Sequence, residues 1–199
     1  MQEFIQVVEV SPRDGIQNEK KVLSTLKKEE LISRAIDSGF KRIEVTSFVN
    51  PKKIPQMFDT DELISSLSKY KKKDLKFIGL VLNEMGFNRA LASSIDVINY
   101  VVVASDTFSI RNQGASTFDN LKVLEKIYAK SNSKIEITTT IGASFGCPFE
   151  GEISSKKLLL IIEQISKIGL KATTSEQIGI IGENKAIAVQ SLVNLREKL

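Results

Sequence analysis

The sequence predicts an α/β protein built on a parallel sheet, and three observations carry that prediction. β-rich apolar runs alternate with helical stripes along the whole chain, and the runs recur about every 33 residues. The loops that follow strands differ in character from those that precede them. A repeat of that length is one strand plus one crossover helix. Crossover helices must cover a sheet face, so strict alternation implies parallel strands buried on both sides.

The first run is Phe4–Val10, stopped by Pro12. Leu26, Leu31, Ile32, Ala35 and Ile36 then recur at helical spacing, with Ser24 or Thr25 placed to cap the first turn and Gly39 just past the end. Arg42–Ser47 is the second strand, closed by a loop holding Pro51 and Pro55. A helix over about Asp61–Lys69 leads into strand Leu75–Leu82, and a short helix over Glu84–Ser94 into strand Ile95–Val103. Phe118, Leu121, Leu124, Ile127 and Tyr128 mark the next helix, and Lys134–Thr140 the fifth strand. The stripe Leu158, Ile161, Ile162, Ile165, Ile168 ends at Gly169. A sixth strand over Leu170–Thr174 and a last helix over about Glu183–Lys198 complete the pattern.

Two architectures fit six such units: an open doubly wound sheet, or a (β/α)₈ barrel short of its last quarter. Eight units at this spacing need about 260 residues, close to the usual ~250 of a barrel, and the sequence has 199. Either way, residues 1–199 are expected to form a single domain.

Composition narrows the chemistry. Hydrophobic residues are 42% and charged residues 26%, the balance of an ordinary globular domain, which excludes a disordered or collagen-like chain. No apolar stretch approaches the roughly 18 residues of a membrane span, and Met1-Gln2-Glu3-Phe4 lacks the basic start of a secretory signal. One cysteine suits a reducing compartment, so a cytoplasmic location is expected. The absence of His removes Ser–His and Cys–His nucleophile pairs and any His-ligated metal centre. Carboxylate, Arg/Lys and hydroxyl chemistry remain, with a hard, oxygen-seeking cation as the compatible metal. The net charge of +4 is too mild to argue for nucleic acid. The run Lys69-Tyr70-Lys71-Lys72-Lys73 falls where a helix ends, and lysines there complement the helix dipole.

All four prolines (12, 51, 55, 148) fall in loops after strands 1, 2 and 5, together with Arg13-Asp14-Gly15 and Gly146-Cys147-Pro148. In parallel α/β proteins those loops, at the carboxyl ends of the strands, build active sites. Arg13 and Asp14 set an anion-binding fork beside a hard metal ligand, though a local ion pair stabilising the turn fits the tripeptide as well. Glu44 lies inside strand 2 on the face it shares with Arg42 and Thr46. A carboxylate within a doubly covered strand needs a partner, and Arg13 at the neighbouring strand end is the obvious one. Asn83 and Ser105-Asp106 follow strands 3 and 4 in loop positions, where they can contact substrate or CoA or serve as solvated loop caps.

Three segments carry a resemblance. Val8-Glu9-Val10-Ser11-Pro12-Arg13-Asp14-Gly15-Ile16-Gln17-Asn18-Glu19-Lys20 is similar to the first strand and loop of the 3-hydroxy-3-methylglutaryl-CoA lyase family. Ile43-Glu44-Val45-Thr46-Ser47-Phe48-Val49-Asn50-Pro51-Lys52, with Pro55-Gln56-Met57, resembles that family's second segment. Gly146-Cys147-Pro148-Phe149-Glu150-Gly151 resembles a third. The resemblance implies an incomplete TIM barrel and retro-Claisen cleavage of 3-hydroxy-3-methylglutaryl-CoA to acetyl-CoA and acetoacetate. It also implies a divalent cation, Mg²⁺ or Mn²⁺, and an acyl-CoA substrate, with no nucleic-acid or membrane partner. By position, Asp14 matches the metal-ligand Asp and Arg13 the Arg that stabilises the enolate oxygen. Gln17 and Glu44 match residues around substrate and metal. Glu176 stands where the family has an Asp, and Asn83 and Ser105 occupy substrate-side loops. Cys147 matches a non-catalytic segment and reads as structural.

The family's His-x-His metal ligands and its catalytic cysteine loop lie beyond position 199, and Thr138 stands where the family has an Arg. A C-terminally shortened barrel with a weak metal site and impaired turnover is therefore expected. The competing expectations are a non-catalytic remnant serving as a binding or assembly module, and an open-sheet protein binding a phosphorylated metabolite. Six strands leave two edges, which invite a homo-oligomer or a second chain completing the barrel.

Overall fold

A computed structural model describes residues 7–132 and 134–169 of the 199. Five parallel strands form one sheet in the order β1-β2-β3-β4-β5: Val8–Glu9, Arg42–Ser47, Lys76–Val81, Val97–Val103 and Glu136–Gly142. Each strand pairs with the next in sequence, the order of a barrel wall rather than of a doubly wound sheet, which reverses at a switch point. The expected sixth strand, the last helix and residues 4–6 of the first run lie outside the described residues.

Side chains confirm that the wall is curved. Arg42 on β2 pairs with Glu136 on β5 at 2.5 Å, and Glu44 on β2 bonds Asn99 on β4 at 3.0 Å. On a flat sheet those strands would stand about 14 Å and 10 Å apart, so the inner face must curl for the side chains to meet. The structure is an incomplete TIM barrel, as the resemblance implied.

Helices cover the outer face: α1 (Thr25–Asp37), α2 (Thr60–Ser66), α3 (Glu84–Ala92), α4 (Asp106–Gln113), α5 (Thr117–Ser131) and α6 (Ser155–Lys167). Ile43, Val45, Phe77, Ile98, Tyr100 and Val102 from the strands pack on Ile32, Leu63, Phe87, Leu124, Ile127 and Ile161 from the helices. Alternation along the strands thus sends one set of residues to this core and leaves Arg42, Glu44, Asn99, Glu136 and Thr140 on the concave side. At Gly79 on β3 a Cβ would lie 2.5 Å from the Phe48 ring, so the close packing there needs a residue without one.

Two features differ from the sequence reading. The segment after β4, expected as loop, is helix α4: Ser105 Oγ accepts from the Phe108 N–H at 3.2 Å and Gly114 closes it in the left-handed conformation. The chain after β5 folds as a small antiparallel hairpin, β6 (Gly146–Cys147) with β7 (Gly151–Glu152). Among the described residues, no helix is long and apolar enough to cross a membrane.

Candidate active site

The loop after β1 makes one wide helical turn over Ser11–Gly15, started by Pro12 and held by the Arg13 and Asp14 N–H groups on the Val10 carbonyl at 3.1 and 2.8 Å. That turn brings Arg13 against β2. Its Nε and Nη2 both donate to Glu44 Oε1, while Nη1 donates to Asp14 Oδ1 at 2.7 Å. Glu44 is 2% exposed, and a carboxylate that deep needs every oxygen engaged. The fork on Oε1 is the pairing expected from sequence. The second oxygen, Oε2, accepts from Asn99 Nδ2, and Asn99 Oδ1 in turn accepts from Thr140 Oγ1 at 3.0 Å. A continuous polar chain thus crosses the concave face from the β1 loop to β5.

β2 carries a bulge between Glu44 and Thr46. The alternation breaks there, and Thr46 bonds Thr60 Oγ1 at 2.9 Å instead of joining the Arg42–Glu44 row, which corrects the shared face expected from spacing. Asp14, by contrast with Glu44, is part-exposed at the strands' carboxyl end, its side chain 40% accessible.

The remaining expected site residues spread along the same end of the sheet. Gln17 follows on the Arg13 loop, half-buried. Asn83 caps α3 through the Gly86 N–H at 2.9 Å. Ser105 is fully buried, caps α4 and accepts from Cys147 Sγ at 2.9 Å. Glu176 lies outside the described residues. Cys147 is buried in the core cluster, as a structural cysteine should be. Burial pushes its thiol up, but Ser105 and the Phe149 and Glu150 N–H groups on the sulfur bring it below the usual range.

The hairpin after β5 docks on α4 from the same side. Glu150 accepts from the Thr107 N–H at 2.6 Å, and the Arg111 guanidinium stacks 4.1 Å from the centre of the Phe149 ring. The Thr107 N–H holds the Glu150 carboxyl below its ordinary value, and the Thr117 N–H does the same for Asp106.

Asn99 is the site residue that sequence reasoning missed. The signal was available: an amide inside Ile95–Val103, an otherwise apolar strand, is as anomalous as a carboxylate inside β2.

The chain matches the HMGL-like family model over residues 4–186. It is 35% identical over 177 residues to (R)-citramalyl-CoA lyase of Chloroflexus aurantiacus, covering 84% of this chain and 56% of that one. It is 33% identical over 168 residues to the human cytoplasmic 3-hydroxy-3-methylglutaryl-CoA lyase, covering 84% and 45%. The solved structure of an HMG-CoA lyase from Acinetobacter baumannii, in complex with coenzyme A and 3-methylmalate, superposes with a TM-score of 0.80 at 34% identity, over 84% of this chain and 54% of that one. The chain spans about half the length of the curated relatives it matches.

Proposed function

The chain belongs to the HMGL-like family of lyases, and on that premise we propose that it serves carbon–carbon cleavage of 3-hydroxy-3-methylglutaryl-CoA to acetyl-CoA and acetoacetate. The observation that carries the proposal is the clamp on Arg13, whose guanidinium is held by Glu44 on one edge and Asp14 on another. A guanidinium has five N–H donors. Among the described residues Glu44 and Asp14 use three, which leaves two N–H groups for an incoming oxygen.

In the retro-Claisen step the substrate's tertiary hydroxyl gives up its proton and becomes a ketone as the adjacent carbon–carbon bond breaks. The electron pair passes to the thioester, whose enolate then takes a proton at carbon to become acetyl-CoA. Arg13 places fixed positive charge where the enolate oxygen forms, and because Glu44 and Asp14 hold it, little reorganisation is needed as that charge develops. Glu44, engaged at both oxygens, positions Arg13, and Asp14 fixes its outer edge. Gln17, Asn83 and Ser105 are proposed on the substrate side of the same loops, and Glu176 as a further catalytic carboxylate.

The family resemblance implies a divalent cation, Mg²⁺ or Mn²⁺. The donors described here do not fit a metal centre built by this segment alone. Among the described residues no group of three or more His, Cys, Asp or Glu could hold a metal ion, the sequence has no His, and Glu44 is committed to Arg13 and Asn99. Asp14 is the carboxylate we propose to contribute to a weak Mg²⁺ or Mn²⁺ site, since one protein ligand holds such a cation poorly. That same shortage favours the second reading, a non-catalytic module that keeps the barrel wall and the Arg13 clamp for binding. A cytoplasmic location is proposed with the lyase reading; one human relative is named as cytoplasmic and another, comparably similar, as mitochondrial.

The test is acetyl-CoA release from 3-hydroxy-3-methylglutaryl-CoA, with citramalyl-CoA as comparison, by the purified protein in Mg²⁺ or Mn²⁺. Arg13→Lys and Asp14→Asn should each lower kcat by at least about a hundredfold. Turnover that survives both changes removes the clamp from the chemistry, and absence of turnover in the unaltered protein leaves the binding module.

A further inference from the structure

We infer that Asn99 is a positioning residue that sets the Arg13 clamp through Glu44, with Thr140 orienting the Asn99 amide. Glu44 Oε1 takes both Arg13 donors, so the geometry of that fork depends on the carboxylate plane. Only Oε2 can fix the plane from the other side, and its partner is Asn99 Nδ2 at 3.0 Å. The orientation of the amide follows from chemistry: an ionised carboxylate only accepts, so Nδ2 must face Glu44, and Oδ1 must face the Thr140 hydroxyl, 3.0 Å away. Four elements that are distant in sequence (the β1 loop, β2, β4 and β5) are thereby tied into one hydrogen-bonded line. An amide in the middle of β4 has no other part in the sheet, since the ladder to β5 uses backbone groups. The inference deepens the lyase reading and rests on it for its kinetic arm alone.

The structural arm is hydrogen exchange at Arg13 Nε in ¹⁵N-labelled protein, the signal being assigned by its loss in Arg13→Lys. Asn99→Leu keeps the volume and removes the donor. It should speed exchange at Arg13 Nε about tenfold, the worth of one ordinary hydrogen bond, while the α5 amides keep their rates. Thr140→Val should move the same signal in the same direction by a smaller factor, and it carries the test alone if Asn99→Leu does not fold. In the kinetic arm, kcat should fall about tenfold in Asn99→Leu with KM little changed. Exchange at Arg13 Nε within twofold of wild type overturns the inference. So does acceleration spread evenly over the α5 amides, which marks a general role in the fold, and so does fast Arg13 exchange with unaltered kcat. If the unaltered protein shows no turnover, the lyase reading falls and the exchange arm decides the inference by itself.

Discussion

Replacing Lys28 by Met should cost this protein a large share of its stability. Lys28 and Asp59 are 2% and 4% exposed, and the ammonium donates to Asp59 Oδ1 at 2.6 Å and to the Gln56 carbonyl, lying 4.9 Å from the centre of the Phe58 ring. Among the described residues Asp59 Oδ2 is buried with no hydrogen-bond partner, and Lys28 is the carboxylate's compensating charge. Methionine fills the same space and removes it, leaving an unpaired buried charge, which costs about 3–5 kcal/mol. For a chain of this length that is a fall in Tm of about 10 °C. The loss should reach the active-site loop, because Gln56 accepts from the Leu23 N–H at 3.1 Å and donates to the Lys21 carbonyl at 2.8 Å. Urea unfolding followed by far-UV circular dichroism measures the loss, with the m-value showing that the transition stays the same. Pairing the change with Asp59→Leu should recover most of it, since an apolar pair of similar volume replaces an ion pair at little net cost. A Lys28→Met protein within about 1 kcal/mol of wild type, or a double variant no more stable than the single one, would refute the reasoning.

Acid should loosen the hairpin from α4, through Glu150, and α4 from α5, through Asp106. Asp106 and Glu150 both sit below their ordinary values, so they contribute stability above the unfolded values of about 4 and lose it as pH falls through the lower folded ones. The ¹H–¹⁵N signals of Thr107 and Thr117 should hold steady down to about pH 4 and shift below it; shifts already complete above about pH 4 would contradict the assignment. Gly86→Ala should lower the urea midpoint by an amount worth about 1–3 kcal/mol, because the new Cβ would lie 2.6 Å from the Phe48 carbonyl oxygen. Gly142→Ala, whose nearest non-neighbour atom is 3.7 Å away, should change it little. Equal effects from the two would show that the Gly86 contact is not tight.

The strands were legible because each is a local pattern. Arg42–Ser47 has the bounds read from sequence, and the next three strands begin and end within two residues of them. Helix α4 was not legible, for a physical reason: Asp106–Gln113 presents no apolar stripe, and what holds it is the Ser105 cap, the Gly114 turn and an Asn120 amide that bonds Ser109 and Gln113 from the next helix. Lys28 was equally hidden, since a lysine on an amphipathic helix reads as solvated until α2 and its leading loop close over it. The Arg13–Glu44 pair was inferred because one burial argument, a carboxylate inside a covered strand, demanded a cation nearby. The same argument applied to Asn99 would have named the other half of the clamp.

What no local pattern could convey is that strands two and three places apart touch. Arg42 with Glu136, and Glu44 with Asn99, meet because the wall curls, and the curl is a property of the assembled sheet. The polar side chains on the concave side are therefore the sequence's record of curvature. A flat doubly wound sheet would bury that face under helices and fill it with apolar residues alone, whereas this face carries Arg42, Glu44, Asn99, Glu136, Thr138 and Thr140 beside the apolar Ile78, Leu80 and Val97. Polar groups are stable there only if they reach across the barrel to one another, and one of the pairs that does so, Glu44 with Asn99, is also the one that aims Arg13.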